Sequence, residues 1–190
     1  MTALVYVLLA YLLGSVSFAV ISSWLFKLPD PRTYGSKNPG ATNVLRSGKK
    51  AAAVLTLLGD AGKGWLAVVL AQTYDLPNEV VAAVALAVFL GHVFPVFLRF
   101  QGGKGVATAV GVLLGLNLWV GLLAMATWLL VVVIWRISSL SALVAAVLTP
   151  IYALIFMGFE ASLLAVLVIS MILIWRHQSN IVNLLAGKET

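Results

Sequence analysis

Residues 35–48 read Gly-Ser-Lys-Asn-Pro-Gly-Ala-Thr-Asn-Val-Leu-Arg-Ser-Gly. They set hydroxyls (Ser36, Thr42, Ser47), amides (Asn38, Asn43) and cations (Lys37, Arg46) side by side with no carboxylate among them. Such a surface offers hydrogen-bond donors and positive charge to an anion, and a guanidinium such as that of Arg46 can grip a phosphate with two bonds. Pro39-Gly40 punctuates a turn, so a solvated turn with helix caps is the plainer alternative.

A second polar island, Arg99-Phe-Gln-Gly-Gly-Lys-Gly-Val-Ala-Thr108, flanks Lys104 with Gly102, Gly103 and Gly105 where a helix is expected to begin. Glycine permits close backbone approach, and a helix N-terminus adds free N–H groups and partial positive charge, so this is a phosphate cradle in outline. It is not a P-loop: Leu98 stands where the first glycine belongs, and Gly105 where a Ser or Thr should follow the lysine. A topological loop would carry the same residues. The third and fourth islands are Arg136-Ile-Ser-Ser-Leu-Ser141 and Arg176-His-Gln-Ser-Asn180. Brought together, the four would form a cationic bowl.

Other ionisable residues are sparse. Asp60 and Lys63 are three apart and share a helix face inside an apolar stretch, where charges are paired or functional; a structural ion pair is expected. His92 lies within a span and is expected to be a hydrogen-bonded structural residue. His177 follows Arg176 and suits phosphate binding when protonated or proton abstraction when neutral. No His-x-x-x-x-Asp pattern occurs, and no clustered His and carboxylates suggest a metal. Cysteine is absent, which excludes disulfides and thiolate chemistry.

What must position these islands is hydrocarbon. The 190 residues are 62% hydrophobic and only 9% charged, with mean hydropathy +1.08; a soluble domain carries roughly 25% charged residues. The chain is therefore expected to be an all-α integral membrane protein, one domain over residues 1–190. A pI near 9.8 reflects topology-setting charge rather than nucleic-acid binding. No charged side chain precedes Lys27, so the first segment is expected to be an uncleaved span, not a signal peptide.

Apolar stretches cover 3–26, 51–73, 80–100, 106–135, 140–158 and 161–175. The fourth would be roughly 45 Å long as one helix, against an apolar bilayer core of about 30 Å. Turning it near Gly115–Trp119 yields seven transmembrane helices. Then Lys27, Arg32, Lys37, Arg46, Lys49, Lys50, Arg99, Lys104, Arg136, Arg176 and Lys188 share one side, while Asp75, Glu79 and Glu160 take the other. The basic side is expected to be the cytoplasm, putting the N-terminus outside, the C-terminus inside and the polar loops on the cytoplasmic face. Gly111 and Gly115 have the spacing of a helix-packing face, and Trp24, Trp119, Trp135 and Trp175 read as interfacial anchors.

The islands, taken in order, resemble the bacterial acyl-phosphate:glycerol-3-phosphate acyltransferases, the PlsY family. The resemblance is carried by Gly35-Ser-Lys-Asn-Pro-Gly-Ala-Thr-Asn43, Gly91-His-Val-Phe-Pro-Val-Phe-Leu-Arg-Phe-Gln-Gly-Gly-Lys-Gly-Val-Ala-Thr108 and Arg176-His-Gln-Ser-Asn-Ile181. Gly59-Asp-Ala-Gly-Lys-Gly64 and Trp135-Arg-Ile-Ser-Ser139 add to it. It implies a seven-helix enzyme of the bacterial inner membrane, monomeric and without metal or cofactor. It would move a fatty acyl group from acyl phosphate to the sn-1 hydroxyl of glycerol 3-phosphate, releasing lysophosphatidic acid and phosphate. Ser36 and Asn38 would then sit at the reacting acyl phosphate. Arg46, Lys104, His177 and Asn180 would hold phosphate groups. Thr42, Asn43, Gly103 and Ser141 are further substrate-binding candidates, and Asp60 is a weaker one. His177 is an alternative to a substrate phosphate oxygen as proton acceptor. From another class, a transporter for a small organic phosphate would use the same bowl; against it, almost all polar residues lie on one side, and Asp60–Lys63 is the sole hint of the midplane site on broken helices that a transporter has.

Overall fold

The first apolar stretch folds as two helices, α1 (Thr2–Ser15) and α2 (Phe18–Leu25), bent by 40°. The sequence reads this stretch as a single uncleaved spanning helix, and the bent pair counts as one span if the two are taken together. The break has a local cause: Ser17 adopts extended backbone and caps α2 by accepting from the Val20 N–H. It also has a distant one, since the Val16 carbonyl and Phe18 N–H freed by the bend are taken by Lys63 Nζ (2.6 Å) and Asp60 Oδ1 (3.4 Å). The computed structural model describes residues 2–189; Met1 and Thr190, the outermost positions of the expected domain, lie outside it.

A short helix α3 (Ala41–Leu45) sits in the first polar island, followed by α4 (Lys50–Thr73) and α5 (Asn78–Val93). Pro95 denies α5 its continuation, so the third apolar stretch ends in a 3₁₀ turn at Val96–Leu98. The fourth stretch does divide, into α6 (Val106–Leu116) and α7 (Leu118–Trp135). Between them Asn117 is extended, and its side-chain oxygen accepts from the N–H groups of Trp119 (3.0 Å) and Val120 (3.2 Å). That is an N-cap inside hydrocarbon sequence. Then come α8 (Ser138–Met157), α9 (Ala161–Arg176) and α10 (Gln178–Leu185), the last bent 57° from α9 at His177. Every regular element among the described residues is helical.

Among the described residues, four helices are long and apolar enough to cross a membrane, and up to six spans result if each bent pair counts as one. The 11-residue α6 is shorter than a span. Helices α4, α6, α7, α8, α9 and α5 pack in a closed ring, with α1 against α5 and α4. Interior positions are small: Ala67, Val68, Ala85, Val88, Val112 and Ala146 are buried, whereas Leu58, Leu130, Val133 and Phe159 face outward. Lipid tails are as apolar as leucine, so close backbone contact replaces the hydrophobic effect as the packing force. A Cβ on Gly111 would lie 1.8 Å from the Ala61 carbonyl oxygen, and one on Gly64 would lie 2.5 Å from that of Thr108. The Gly111 face expected for packing is thus the α4–α6 seam.

Candidate active site

The four polar islands meet at one end of the bundle. From the first, the α3 residue Thr42 brings its hydroxyl 3.4 Å from that of Ser138, the first residue of α8. Next to it, Ser139 donates to Glu189 Oε1 (2.7 Å). The same carboxylate oxygen accepts from Asn180 Nδ2 (2.5 Å), and Asn180 Oδ1 accepts from Lys104 Nζ. One chain of hydrogen bonds therefore joins the third island, the C-terminal segment, the fourth island and the second.

Lys104 is placed by the glycines around it. Gly105 caps α6 with φ +92°, a left-handed conformation, and a Cβ there would lie 2.3 Å from the Phe89 ring. The Gly103 N–H donates to the His92 carbonyl (3.2 Å), and Arg176 Nη2 donates to the Gly102 carbonyl (3.1 Å). Burial lowers the proton affinity of Lys104; Glu189 opposes that, while Arg176 and Arg46 add repulsion. These are the charges of the site: three cations and one carboxylate, which leaves it two positive charges in excess. The Glu189 carboxyl is itself held below its ordinary value. Partial burial works against this, but hydrogen bonds from Ser139, Asn180 and Asn183, with Lys104 nearby, outweigh it.

His177 closes the α9–α10 bend and is 2% exposed. Its Nδ1 lies 2.7 Å from the Leu173 carbonyl, which can only accept, so Nδ1 carries the proton and Nε2 keeps its lone pair. Burial pushes its pKa down from 6.5 to about 4; the Leu173 bond resists, and Lys104 and Arg176 repel the charged form. At neutral pH the ring is uncharged and offers Nε2 as an acceptor.

The remaining expected site residues fall into two groups. Ser36 is exposed and Asn38 half-buried, with Asn38 Nδ2 folded over Gly40. Arg46 is exposed beside Gly35, its Cδ 3.3 Å from where a Gly35 Cβ would be. Asn43 differs from expectation. It is 2% exposed, and its amide donates to the Pro31 (2.7 Å) and Tyr34 (3.2 Å) carbonyls and accepts from the Ser36 N–H (2.9 Å). Its donors are consumed in shaping the loop that presents Ser36. Ser141 also turns away: it is fully buried, and its hydroxyl donates to the Ile137 carbonyl (2.9 Å) of its own helix. One helical turn places Ser139, not Ser141, at the junction. Gly103 packs its bare Cα on the His92 ring, where a Cβ would lie 2.2 Å from Nε2.

Ser138, Ser139, Arg176, Asn183 and Glu189 were not singled out from sequence. Position within α8 distinguishes Ser139 from Ser141, since first-turn residues point past the helix end. For Glu189 no local pattern signals that the chain returns to the site. Below the bowl, Val106, Val110, Trp128, Ala146, Ile169 and Leu173 line an apolar cleft between α6, α7, α8 and α9.

A helical membrane protein with a cationic bowl beside an apolar cleft is the class that fold and site define. A family model described as glycerol-3-phosphate acyltransferase matches residues 4–187. A glycerol-3-phosphate acyltransferase of Nitrosospira multiformis is 65% identical over the whole chain and 96% of its own length. One from Thiobacillus denitrificans is 56% identical, over the whole chain and 96% of its own. The crystal structure of PlsY (YgiH), an integral membrane glycerol 3-phosphate acyltransferase, in its glycerol 3-phosphate form superposes with TM-score 0.94. It is 36% identical, over the whole chain and 95% of that protein. Its lysophosphatidic acid form gives 0.93 at 35% identity and the same coverage. The chain belongs to the glycerol-3-phosphate acyltransferase family. It is a membrane-bound acyltransferase.

Proposed function

We propose that this protein joins a fatty acyl group from acyl phosphate to the sn-1 hydroxyl of glycerol 3-phosphate, yielding 1-acyl-glycerol 3-phosphate and inorganic phosphate. The observation that carries this reading is the convergence of Lys104, Arg46, Asn180 and His177 around a site with excess positive charge, directly above an apolar cleft. Two anionic substrates repel each other, and one of them is a lipid. A cationic bowl offsets the repulsion, and the acyl chain lies in an apolar groove between helices that opens from the cleft as the chain enters.

The hydroxyl oxygen attacks the acyl carbonyl carbon, the new ester C–O bond forms, and the carbonyl carbon's bond to the phosphate oxygen breaks. Acyl phosphate is a mixed anhydride with a good leaving group, so positioning does most of the work, supplying up to about 7–11 kcal/mol. Asn38 is the donor for the developing oxyanion, worth about 3 kcal/mol, because the Ser36 and Lys37 N–H groups are already donated to Asn43 Oδ1 and the Tyr34 carbonyl. The hydroxyl proton goes to a phosphate oxygen of a substrate. A base works best with a pKa near the working pH, and His177 at about 4 lies well below it. Its unprotonated Nε2 instead accepts from the other hydroxyl of glycerol 3-phosphate and so orients the molecule, leaving the proton of the attacking hydroxyl to the phosphate oxygen. Lys104, Arg46 and Asn180 hold phosphate oxygens, with Thr42 and the Gly103 backbone at the rim.

In the same reading the chain is a monomeric single domain of the bacterial inner membrane, with seven spans and the site open to the cytoplasm; α6 counts as the fourth span. The test is direct. Purified protein with acyl phosphate and labelled glycerol 3-phosphate is expected to form labelled lysophosphatidic acid. Uptake of label into liposomes without product would replace this reading with transport. His177→Gln with full turnover at saturating substrate would remove His177 from the chemistry.

A further inference from the structure

A buried ionic cluster beneath the glycine loop has no part in the chemistry above. Asp60 and Lys63 of α4 are 1% and 3% exposed, and His92 of α5 is 6% exposed. Lys63 Nζ lies 2.8 Å from Asp60 Oδ1, 2.6 Å from the Val16 carbonyl and 3.0 Å from His92 Nδ1. His92 Nδ1 also lies 3.5 Å from Asp60 Oδ1, so this edge of the ring is held by both members of the ion pair and Nε2 is the edge turned away from them. That is the edge against which Gly103 packs, 2.2 Å from where a Cβ would be. His92 also receives the Gly103 N–H on its carbonyl at 3.2 Å, and a Cβ on Gly102 would lie 2.2 Å from that oxygen. Both glycines preceding Lys104 are therefore laid on one residue, whose ring is clamped from below by Lys63.

Charges placed within a membrane span are costly. Closing the α1–α2 break alone does not account for them, because a hydroxyl side chain satisfies freed backbone groups in such helices. The imidazole is the part that reaches the loop.

We propose that the Asp60–Lys63–His92 cluster is a positioning device for Lys104. It fixes the height and direction of residues 102–104, so that the lysine ammonium meets Asn180 and the anion together. Asp60 and Lys63 act through His92, and His92 acts through the glycine loop. The proposal rests on the reading that Lys104 holds an anionic substrate.

The test uses His92→Ala, Gly103→Ala, Lys104→Met and their pairwise combinations in the full-length protein. KM is measured separately for glycerol 3-phosphate and for acyl phosphate, together with kcat. Misplacement of a positioning group by an ångström costs up to about 100-fold. Gly103→Ala, which drives a methyl group into the ring, is expected to raise the KM of the substrate held by Lys104 about 10-fold or more, with kcat changing less. His92→Ala is expected to raise the same KM several-fold. The decisive arm is the pair: removing the ring makes room for the methyl group, so Gly103→Ala/His92→Ala should outperform Gly103→Ala alone. In a Lys104→Met background, His92→Ala should add no more than about 2-fold, because coupled residues do not act additively.

Additive effects in both pairs, or a His92→Ala protein that melts earlier with both KM values unchanged, would overturn the proposal. If His92→Ala does not accumulate as folded protein, His92→Asn serves the same arms, its shorter side chain also leaving space for the methyl group. A Lys104→Met protein with both KM values unchanged would instead sink the assignment of Lys104 itself, and the positioning role with it.

Discussion

Asn43 illustrates how a residue can belong to a proposed anion-binding loop as the part that shapes it. Its two donated bonds and one accepted bond hold residues 31–36 in place. Asn43→Ala is expected to lower kcat/KM about 100-fold, because hydrogen bonds of about 1 kcal/mol each are lost together. Asn43→Asp keeps the acceptor but neither donor, and should fall nearly as far in the same steady-state assay. Near-normal values for both would mean that something else shapes the loop. At His177 the folded-state pKa lies below the ordinary 6.5, at about 4. Between those values the unfolded chain binds the proton and the folded protein resists it. Stability is therefore complete above about pH 6.5 and declines as pH falls toward 4, by on the order of 3 kcal/mol. Thermal midpoints at pH 7 and pH 5 should separate by more in the parent protein than in His177→Gln; equal separations would place the acid sensitivity elsewhere.

Among the elements, α4 carries the clearest contrast between two glycines. Nothing lies within 4 Å of a Cβ built on Gly62, whereas the α6 partner Gly111 meets the Ala61 carbonyl at 1.8 Å. Gly62→Ala should be neutral or stabilising by up to about 1 kcal/mol, from helix propensity. Gly111→Leu should destabilise by about 3 kcal/mol or more by forcing the seam apart. Thermal unfolding in detergent reads both, and a tolerated Gly111→Leu would mean that α4 and α6 can separate. Helix existence was legible because hydrophobic runs and their breakers are local: the excess length of 106–135 announced a break, and Asn117 supplies it. The α1–α2 bend was not legible, since the groups that stabilise it, Asp60 and Lys63, lie more than forty positions away. The same divide separates site residues. Lys104 and Asn180 stood out by type and neighbours, whereas Ser139 and Asn43 differ from Ser141 and Asn38 only in where a turn points them.

For the molecule as a whole, the absence of cysteine makes topology directly measurable. Single cysteines at Lys188 and Glu160 are expected to react with a membrane-impermeant thiol reagent from opposite faces, Lys188→Cys only from the cytoplasmic one. Labelling of both from one face would remove a span from the seven. The 11-residue α6 also governs how the two reactants arrive. At 1.5 Å per residue it is about 16 Å long, roughly half the apolar thickness of a bilayer. If α6 is the fourth span of the proposed topology, the glycine segment ahead of it must make up the shortfall, and its backbone would lie below the head groups, where burial of Gly102, Gly103 and Gly105 in protein makes this tolerable. On the proposed reading, the reacting centre then lies at about the level of the ester linkages of ordinary lipids, with these consequences. A water-soluble phosphate has to sink to that depth, down a gradient of positive potential. The lipid partner never has to rise: it drifts in sideways with its tail still in oil, avoiding a transfer cost of about 0.8 kcal/mol for each methylene. A newly made product already rests at the depth it will occupy in the leaflet.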